Sequence, residues 1–496
     1  MEDIKKGKKP NIVFILSDDQ GAWAMGCAGN REIITPNIDK LAKEGMLFSN
    51  FFCASPVCSP ARASILTGTL PSKHGIMDWL SGGNLPLGIS EMEGMYGYKN
   101  ETKPISYTKE LTAYTDLLAA EGYTCSLCGK WHMGDSMTPS HGFTKWLAMG
   151  RGGCEYYHGD VIKDGKLEFP KQYITDYLGE QALCQLKELA KEEKPFYLSV
   201  HFTAPHSPWD EDNHPKEVLD LYKDCEFESV PNKPVHSSQV KTCPYGEGEE
   251  RKKLLKGYYA AVTAMDRQIG NLMQELDNLG LREDTIVIFT SDNGMNMGHH
   301  GIWGKGNATY PQNMYDTSIK VPFLISWKGM IKEGGFCEEL CSHYDILPTL
   351  KNLLGLSKEV LQPLPGRSLV PLLKEEKEDY AEEAIVILDE YGPVRMIRTK
   401  EWKLVERMDG MENELYHLSE DADEEKNLYG KSACLAVQED LSRQLKEWYK
   451  KYGCRRIEKM RGACTGSGQF GGIEEFEEGK NCFGNIPEKA IKTKEE

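Results

Sequence analysis

The chain predicts an α/β fold: a large, mostly parallel sheet sandwiched by helices, plus a small C-terminal α+β subdomain with a short antiparallel sheet. Three observations carry this reading. Short continuous apolar runs at residues 11–16, 123–127, 195–200 and 285–290 read as strands buried on both faces. Amphipathic stretches at 36–44, 111–121, 173–190 and 251–279 alternate with them, the pattern of a parallel sheet covered on both sides. Past Pro371, a charged stretch at 374–383 gives way to short runs at 384–388, 394–398 and 402–406. These read as antiparallel strands, with a helix at 435–450 to pack on them, and divide the chain into residues 1–378 and 379–496.

Taken in order, the first strand ends in Ser17-Asp18-Asp19-Gln20, which puts two carboxylates at its carboxyl end. In Cys58-Ser59-Pro60-Ala61-Arg62, Ser59 reads as an N-cap and Pro60 as the first helical residue, with Thr67-Gly68 as the stop. Cys58 then sits just ahead of a helix's positive end, and Arg62 adds a planar fork of donors suited to a sulfate or phosphate. Residues 81–104 and much of 209–248 have neither period and read as loops that shape a pocket near the strand ends.

The strand at 123–127 leads into Cys128-Gly129-Lys130-Trp131-His132-Met133-Gly134, where Lys130 and His132 point the same way on an extended segment. The strand at 195–200 leads into His201-Phe202-Thr203-Ala204-Pro205-His206, placing His206 at a strand exit where catalytic loops occur. The helix at 251–279 stops at Gly280, and the next strand ends in Ser291-Asp292-Asn293-Gly294. Asp18, Asp19, Asp292 and Asn293 are hard oxygen donors of the kind calcium or magnesium takes. The tail from Cys454, with glycines clustered around Phe470, has no clear period; a disordered tail and a loop returning toward the active site both fit it.

In motif order, residues 11–354 resemble the type I sulfatases of the alkaline phosphatase superfamily, and the resemblance returns in Glu414-Leu415-Tyr416-His417-Leu418 and Asn427-Leu428. It implies that residues 1–378 are the catalytic part. It implies that Cys58, in a C-x-P-x-R motif with Arg62 as its partner, is converted to formylglycine by a separate maturation enzyme. A metal, calcium or else magnesium, would be held by Asp18, Asp19, Asp292, Asn293 and residue 58. Lys130, His132, His206 and Lys305, the last from Trp303-Gly304-Lys305-Gly306, would complete a sulfate pocket.

In the roles so implied, Asp292 helps activate one hydroxyl of the hydrated aldehyde and His132 takes the proton of the other. His206, with Lys305, protonates the leaving alcohol, while the metal, Arg62, Lys130 and Lys305 stabilise charge on the sulfuryl oxygens. The implied activity is hydrolysis of sulfate esters of a sulfated mono- or oligosaccharide. Its alternatives are a phosphonate or phosphate monoester hydrolase of the same superfamily, and a non-catalytic sulfoglycan-binding homologue. Candidates for contact with the alcohol part of the substrate are His300, Trp303, His74, Trp79, Arg151 and His158.

The chain carries 59 Lys plus Arg against 76 Asp plus Glu, a formal charge of −17. That balance excludes a nucleic-acid binder or a protein that rides on a polyanionic polymer, since each needs an extensive basic surface. Lys5, Lys6, Lys8 and Lys9 read as a solvated N-terminal arm. No signal peptide is read after them, and no apolar stretch is long enough to cross a membrane. The 15 cysteines are odd in number and scattered, and one must stay free for maturation, so a reducing cytoplasm is the expected compartment. Cys125 and Cys128 are spaced as in a redox motif, but on a strand they face opposite sides and read as packing residues.

Overall fold

The computed structural model describes residues 9–86, 100–376, 387–408 and 410–491. The boundary expected at 378/379 lies outside the described residues, as do Lys5, Lys6 and Lys8. The strands of the first part are β1 (Asn11–Ser17), β2 (Met46–Phe48), β3 (Phe51–Phe52), β4 (Thr124–Lys130), β5 (Phe143–Met149), β6 (Val161–Lys163) and β7 (Lys166–Glu168). They continue as β8 (Phe196–His201), β9 (Thr285–Ser291), β10 (Asn296–Met297), β11 (Trp303–Gly304), β12 (Phe323–Ser326), β13 (Gly335–Cys337) and β14 (Cys341–Ser342). The helices are α1 (Pro36–Lys43), α2 (Cys58–Thr67), α3 (Pro71–His74), α4 (Tyr114–Ala120), α5 (Ile174–Leu189) and α6 (Lys216–Leu219). After them come α7 (Gly248–Asn278), α8 (Asp316–Ile319), α9 (Ile346–Leu354) and α10 (Val370–Leu373).

The main sheet has the order β13-β2-β12-β9-β1-β8-β4-β5-β6-β7. Its central strands β9, β1, β8, β4 and β5 are parallel, with β12 and β6 added antiparallel on either side. The composition of β1 explains the layering: Ile12, Phe14 and Leu16 enter one core cluster and Val13 and Ile15 the other. A strand apolar on both faces must be covered twice. Ile65 of α2, Leu117 of α4 and Leu347 of α9 cover the first face; Leu41 of α1, Leu178 of α5 and Ile269 of α7 cover the second. Cys125 and Cys128 of β4 fall into opposite clusters, as their spacing requires.

Helix α7 begins at Gly248, three residues ahead of the expected 251, and the starts of α4 and α2 also differ from the sequence expectation. The helix α4 begins at Tyr114 rather than 111, because Gln362 takes the N–H and carbonyl of Thr112 and the Asp116 carboxylate accepts the Ala113 N–H. The helix α2 begins at Cys58 itself, with Val57 as its extended N-cap, so Pro60 lies inside the first turn. Proline is tolerated there because first-turn N–H groups have no intrahelical acceptor. Ser59 does not cap: its hydroxyl accepts the N–H of Leu80 at 3.0 Å.

The C-terminal sheet has four strands rather than the expected three, β15 (Ile387–Tyr391), β16 (Val394–Arg398), β17 (Trp402–Arg407) and β18 (Glu414–His417), all antiparallel. Helix α11 (Leu435–Tyr452) packs Leu441 and Leu445 against Ile397, Leu404 and Leu415 of this sheet. A buried ionic cluster ties the sheet to α8: Asp316 pairs with Arg398 at 3.0 Å and with Lys403 at 2.6 Å. The tail, including α12 (Ile473–Glu477), returns to the main body, where Gln469 bridges Leu80 on one side and Phe483 on the other. Of the two readings of the tail, the structure shows the returning loop. Among the described residues no helix is long and apolar enough to cross a membrane.

Candidate active site

Parallel register builds the site. Ser17 of β1 sits opposite Ser291 of β9, so Asp18 and Asp292 leave neighbouring strands at the same level. On the other side, Leu16 faces His201 of β8 and His201 faces Gly129 of β4, which brings Lys130 to the same edge. The start of α2 then lowers Cys58 onto the carboxylates, with Sγ 3.4 Å from Asp18 and 3.7 Å from Asp19. Lys305 Nζ donates to Cys58 Sγ at 2.7 Å and to Asp19 Oδ1. Lys130 Nζ donates to Asp18 Oδ2, Arg62 Nε to Asp292 Oδ2 at 2.8 Å, and Asn293 Nδ2 to Asp19 Oδ1 at 2.9 Å. His206 Nε2 lies 3.7 Å from Asp19 Oδ2. The structure thus brings together Cys58, Arg62, Lys130, His132, His206, Lys305 and the four proposed metal ligands.

These charges are buried, and burial sets their acidities against one another. Burial, reinforced by Asp292, pushes Asp18 up. Burial acts on Asp19 and Asp292 as well, but Lys305 and His206 outweigh it at Asp19, and Arg62 and Lys130 hold Asp292 well below the usual carboxylate range. The Cys58 thiol is pushed up by burial and then by Asp18. His206 is pushed down to about 4, chiefly by burial and against the pull of Asp19. Burial and then Lys130 push His132 well below its ordinary value.

The expectation that Lys130 and His132 share one extended face does not hold. Lys130 ends β4, and His132 has a left-handed φ of 52°, as Asp19 does at 63°. Such backbones cost about 1–3 kcal/mol each and persist where their surroundings over-determine them. Gly152 is one of those surroundings: a Cβ there would lie 2.0 Å from His132 Cε1. The ring Nε2 of His132 meets the Leu80 carbonyl at 2.9 Å. A carbonyl only accepts, so the proton is assigned to Nε2, and Nδ1 is the bare nitrogen.

Among the described residues, His132 Nδ1, Arg62 Nη2 and Asn293 Oδ1 are buried without a hydrogen-bond partner. The carboxylates of Asp18, Asp19 and Asp292 each bring an oxygen within 4.8 Å of the others. With the unpartnered Asn293 oxygen, they form a hard donor set that fits calcium or magnesium. The Asp292 carboxylate accepts from Arg62 and from the N–H groups of Asp19 and Asn293, and Asp18 and Asp19 are the carboxylates hydrogen-bonded to Cys58 Sγ.

Several supporting residues escaped the sequence. His201 Nδ1 meets the Lys130 carbonyl at 2.9 Å, His343 Nε2 the Ser291 carbonyl at 3.0 Å, and Tyr258 donates to the Asp19 carbonyl at 3.0 Å. Only His201, at a strand exit, carried a signal. Of the substrate candidates, Trp79 precedes Leu80, and Arg151, paired with Asp160 at 3.2 Å, precedes the glycines that lie over His132 and His206. The other four are committed elsewhere. Trp303 fills a core cluster with Trp209 and Tyr258, and His300 stacks on Tyr315 at 3.9 Å between ring centroids. His74 bonds Ser64 at 3.2 Å inside the fold, and His158 stands on the surface beside Glu155.

A model of the sulfatase family matches residues 10–356, and one of the N-sulphoglucosamine sulphohydrolase C-terminal region matches residues 298–451. The chain belongs to the sulfatase family, and is a sulfuric ester hydrolase. It is 31% identical over 88% of its length to an ulvan-active sulfatase of Formosa agariphila, covering 80% of that protein. It is 26% identical over 90% of its length to an N-acetylglucosamine-6-O-sulfatase of Bacteroides thetaiotaomicron, covering 87% of that protein. A solved structure in complex with its substrate, D-glucosamine-2-N,6-O-disulfate, shares the fold with a TM-score of 0.74 at 23% identity, over 90% of this chain and 98% of that one. A phosphonate monoester hydrolase of Agrobacterium radiobacter shares it with a TM-score of 0.69 at 20% identity, over 90% of this chain and 96% of that one.

Proposed function

We propose that the protein hydrolyses sulfate esters of a sulfated mono- or oligosaccharide, with Cys58 matured to formylglycine and calcium or magnesium held by Asp18, Asp19, Asp292 and Asn293. The observation that carries this is the placement of Cys58 Sγ at the start of α2, between two carboxylates and the Lys305 ammonium. Relatives named for ulvan and for N-acetylglucosamine support the saccharide. As its hydrate, formylglycine supplies two hydroxyls on one carbon, and a divalent cation supplies charge that keeps neighbouring carboxylates ionised.

The rest falls to the chain's own residues. Arg62, whose Nη2 makes no hydrogen bond, Lys130 and Lys305 bring three cations to the place where the sulfuryl oxygens carry charge. Asp18 and Asp19 orient the first hydroxyl of residue 58, and His132 receives a proton at its bare Nδ1. His206 holds Nδ1 on the Ser207 carbonyl at 2.7 Å, so the proton it exchanges sits on Nε2, facing Asp19 and the leaving alcohol. Burial makes the His206 cation a strong acid, and a bound sulfate anion favours its charged form. Rates on sulfated monosaccharides and disaccharides, set beside aryl phosphate and phosphonate esters, test the reading. Turnover of the phosphorus esters alone overturns it.

A further inference from the structure

We propose that Gln469, in the returning C-terminal segment, is a positioning residue that sets His132 for proton transfer by fixing the Leu80 carbonyl. This rests on the reading of His132 as proton acceptor. Residues 75–81 form no helix, and the strand-like pairing of Leu80 is a single bridge to Gln469. Buried main-chain groups in such a segment need partners from elsewhere in the chain. Gln469 supplies them in unusual number for one residue. Its N–H donates to the Trp79 carbonyl and its carbonyl accepts from the Ser81 N–H, both at 2.8 Å, gripping the main chain on either side of Leu80.

The side chain adds three more bonds. Oε1 accepts the Met77 N–H at 2.8 Å, and Nε2 donates to the Gly75 and Gly471 carbonyls at 3.0 and 3.1 Å. Gln469 is fully buried, so its carboxamide has one orientation that satisfies all three partners; the flipped amide would set donor against donor at Met77. Asp78 strengthens the same contact by accepting the N–H groups of Gly466 and Gly468 at 3.0 and 3.1 Å. From the opposite side, Ser59, next to Cys58, accepts the Leu80 N–H. The Leu80 carbonyl therefore stands between the start of α2 and the C-terminal segment, and both ends of the proton transfer are referenced to it.

Proton transfer needs hydrogen-bond reach, and a misplacement of about 1 Å costs on the order of 100-fold in rate. The full chain carrying Gln469→Ala is expected to keep KM for an aryl sulfate within about threefold, because Arg62 and Lys130 are untouched, while kcat falls about 10- to 100-fold. Gln469→Glu keeps the shape and the acceptor for Met77 but cannot donate to Gly75 or Gly471, and it carries the test if the alanine variant does not fold. Combined with His132→Ala, either change is expected to add no further loss, since both act on one step. Losses that multiply in the double variant, or wild-type kcat in both Gln469 variants while His132→Ala is crippled, overturn the positioning role alone. Wild-type kcat in His132→Ala removes the base reading and the positioning role with it.

Discussion

Lys305 Nζ lies 2.7 Å from Cys58 Sγ and also donates to Asp19, so one ammonium joins the proposed formylglycine position to a proposed metal ligand. Burial alone would lower the Lys305 pKa, yet Asp19 and Cys58 raise it well above its ordinary value, and the ammonium stays charged. Any change at residue 58 is therefore felt within the carboxylate cluster.

Cys58→Ser keeps the size of the side chain and, left as an unoxidised alcohol, carries one hydroxyl where the aldehyde hydrate carries two. It is expected to bind substrate and to fail at repeated turnover, because only the hydrate's second hydroxyl lets the bound sulfate leave. Peptide mass spectrometry of active enzyme should find formylglycine at residue 58. A fully active preparation with only thiol there would falsify the assignment.

Chelation is expected to abolish activity, and added calcium to restore it. The proposed donors Asp18, Asp19, Asp292 and Asn293 are carboxylates and an amide oxygen, and maturation of Cys58 would remove the thiol that lies with Asp18 and His206 as a softer donor set. Elemental analysis of active protein should return calcium or magnesium; stoichiometric zinc overturns the choice. Asp19→Asn should lower metal content as well as rate.

His206→Ala is expected to lose about two to four powers of ten on a sugar sulfate, whose alkoxide leaves badly, and far less on nitrophenyl sulfate. His132→Ala should slow both alike. Equal losses on both substrates for His206→Ala transfer the acid role to Lys305.

Buried neutral histidines make a prediction for stability against pH. His74 is pushed down to about 3 and His214 to about 4, chiefly by burial, whereas an unfolded histidine titrates near 6.5. Below about pH 6.5 the unfolded chain binds more protons at these sites, so their contribution is lost as pH falls toward 4. Buried Asp78, Asp266 and Asp345, pushed up to about 6, act in the opposite sense, so the measurement is a difference between variants. The Tm of His74→Gln relative to wild type should rise as pH falls from about 7 to 5. A flat or falling difference counts against it.

The site was legible where chemistry follows a strand. Asp18 and Asp292 end apolar runs, and parallel pairing of those runs makes their carboxylates neighbours. Cys58 and Arg62 were legible because one short motif carries both. What escaped depends on contacts between irregular segments: Leu80 and Gln469 have no periodicity to announce them, and their pairing is a matter of backbone partners found across the chain. The start of α2 shifted because Ser59, a good cap by type, meets Leu80 instead. Trp303 illustrates the remaining limit, since a tryptophan outside the main sheet is equally suited to a core or a sugar, and only packing with Trp209 and Tyr258 decides.

The contact of Gln469 with Leu80 also fixes an order of events on the ribosome. At about 5–20 residues per second, the chain between them takes roughly 20–80 s to emerge. The strands that lead into Asp18 and Asp292 can pair well before that stretch is complete, but the support beneath His132 arrives only once Gln469 has emerged. A stop codon shortly before Gln469 would thus leave the large sheet intact and the pocket unfinished.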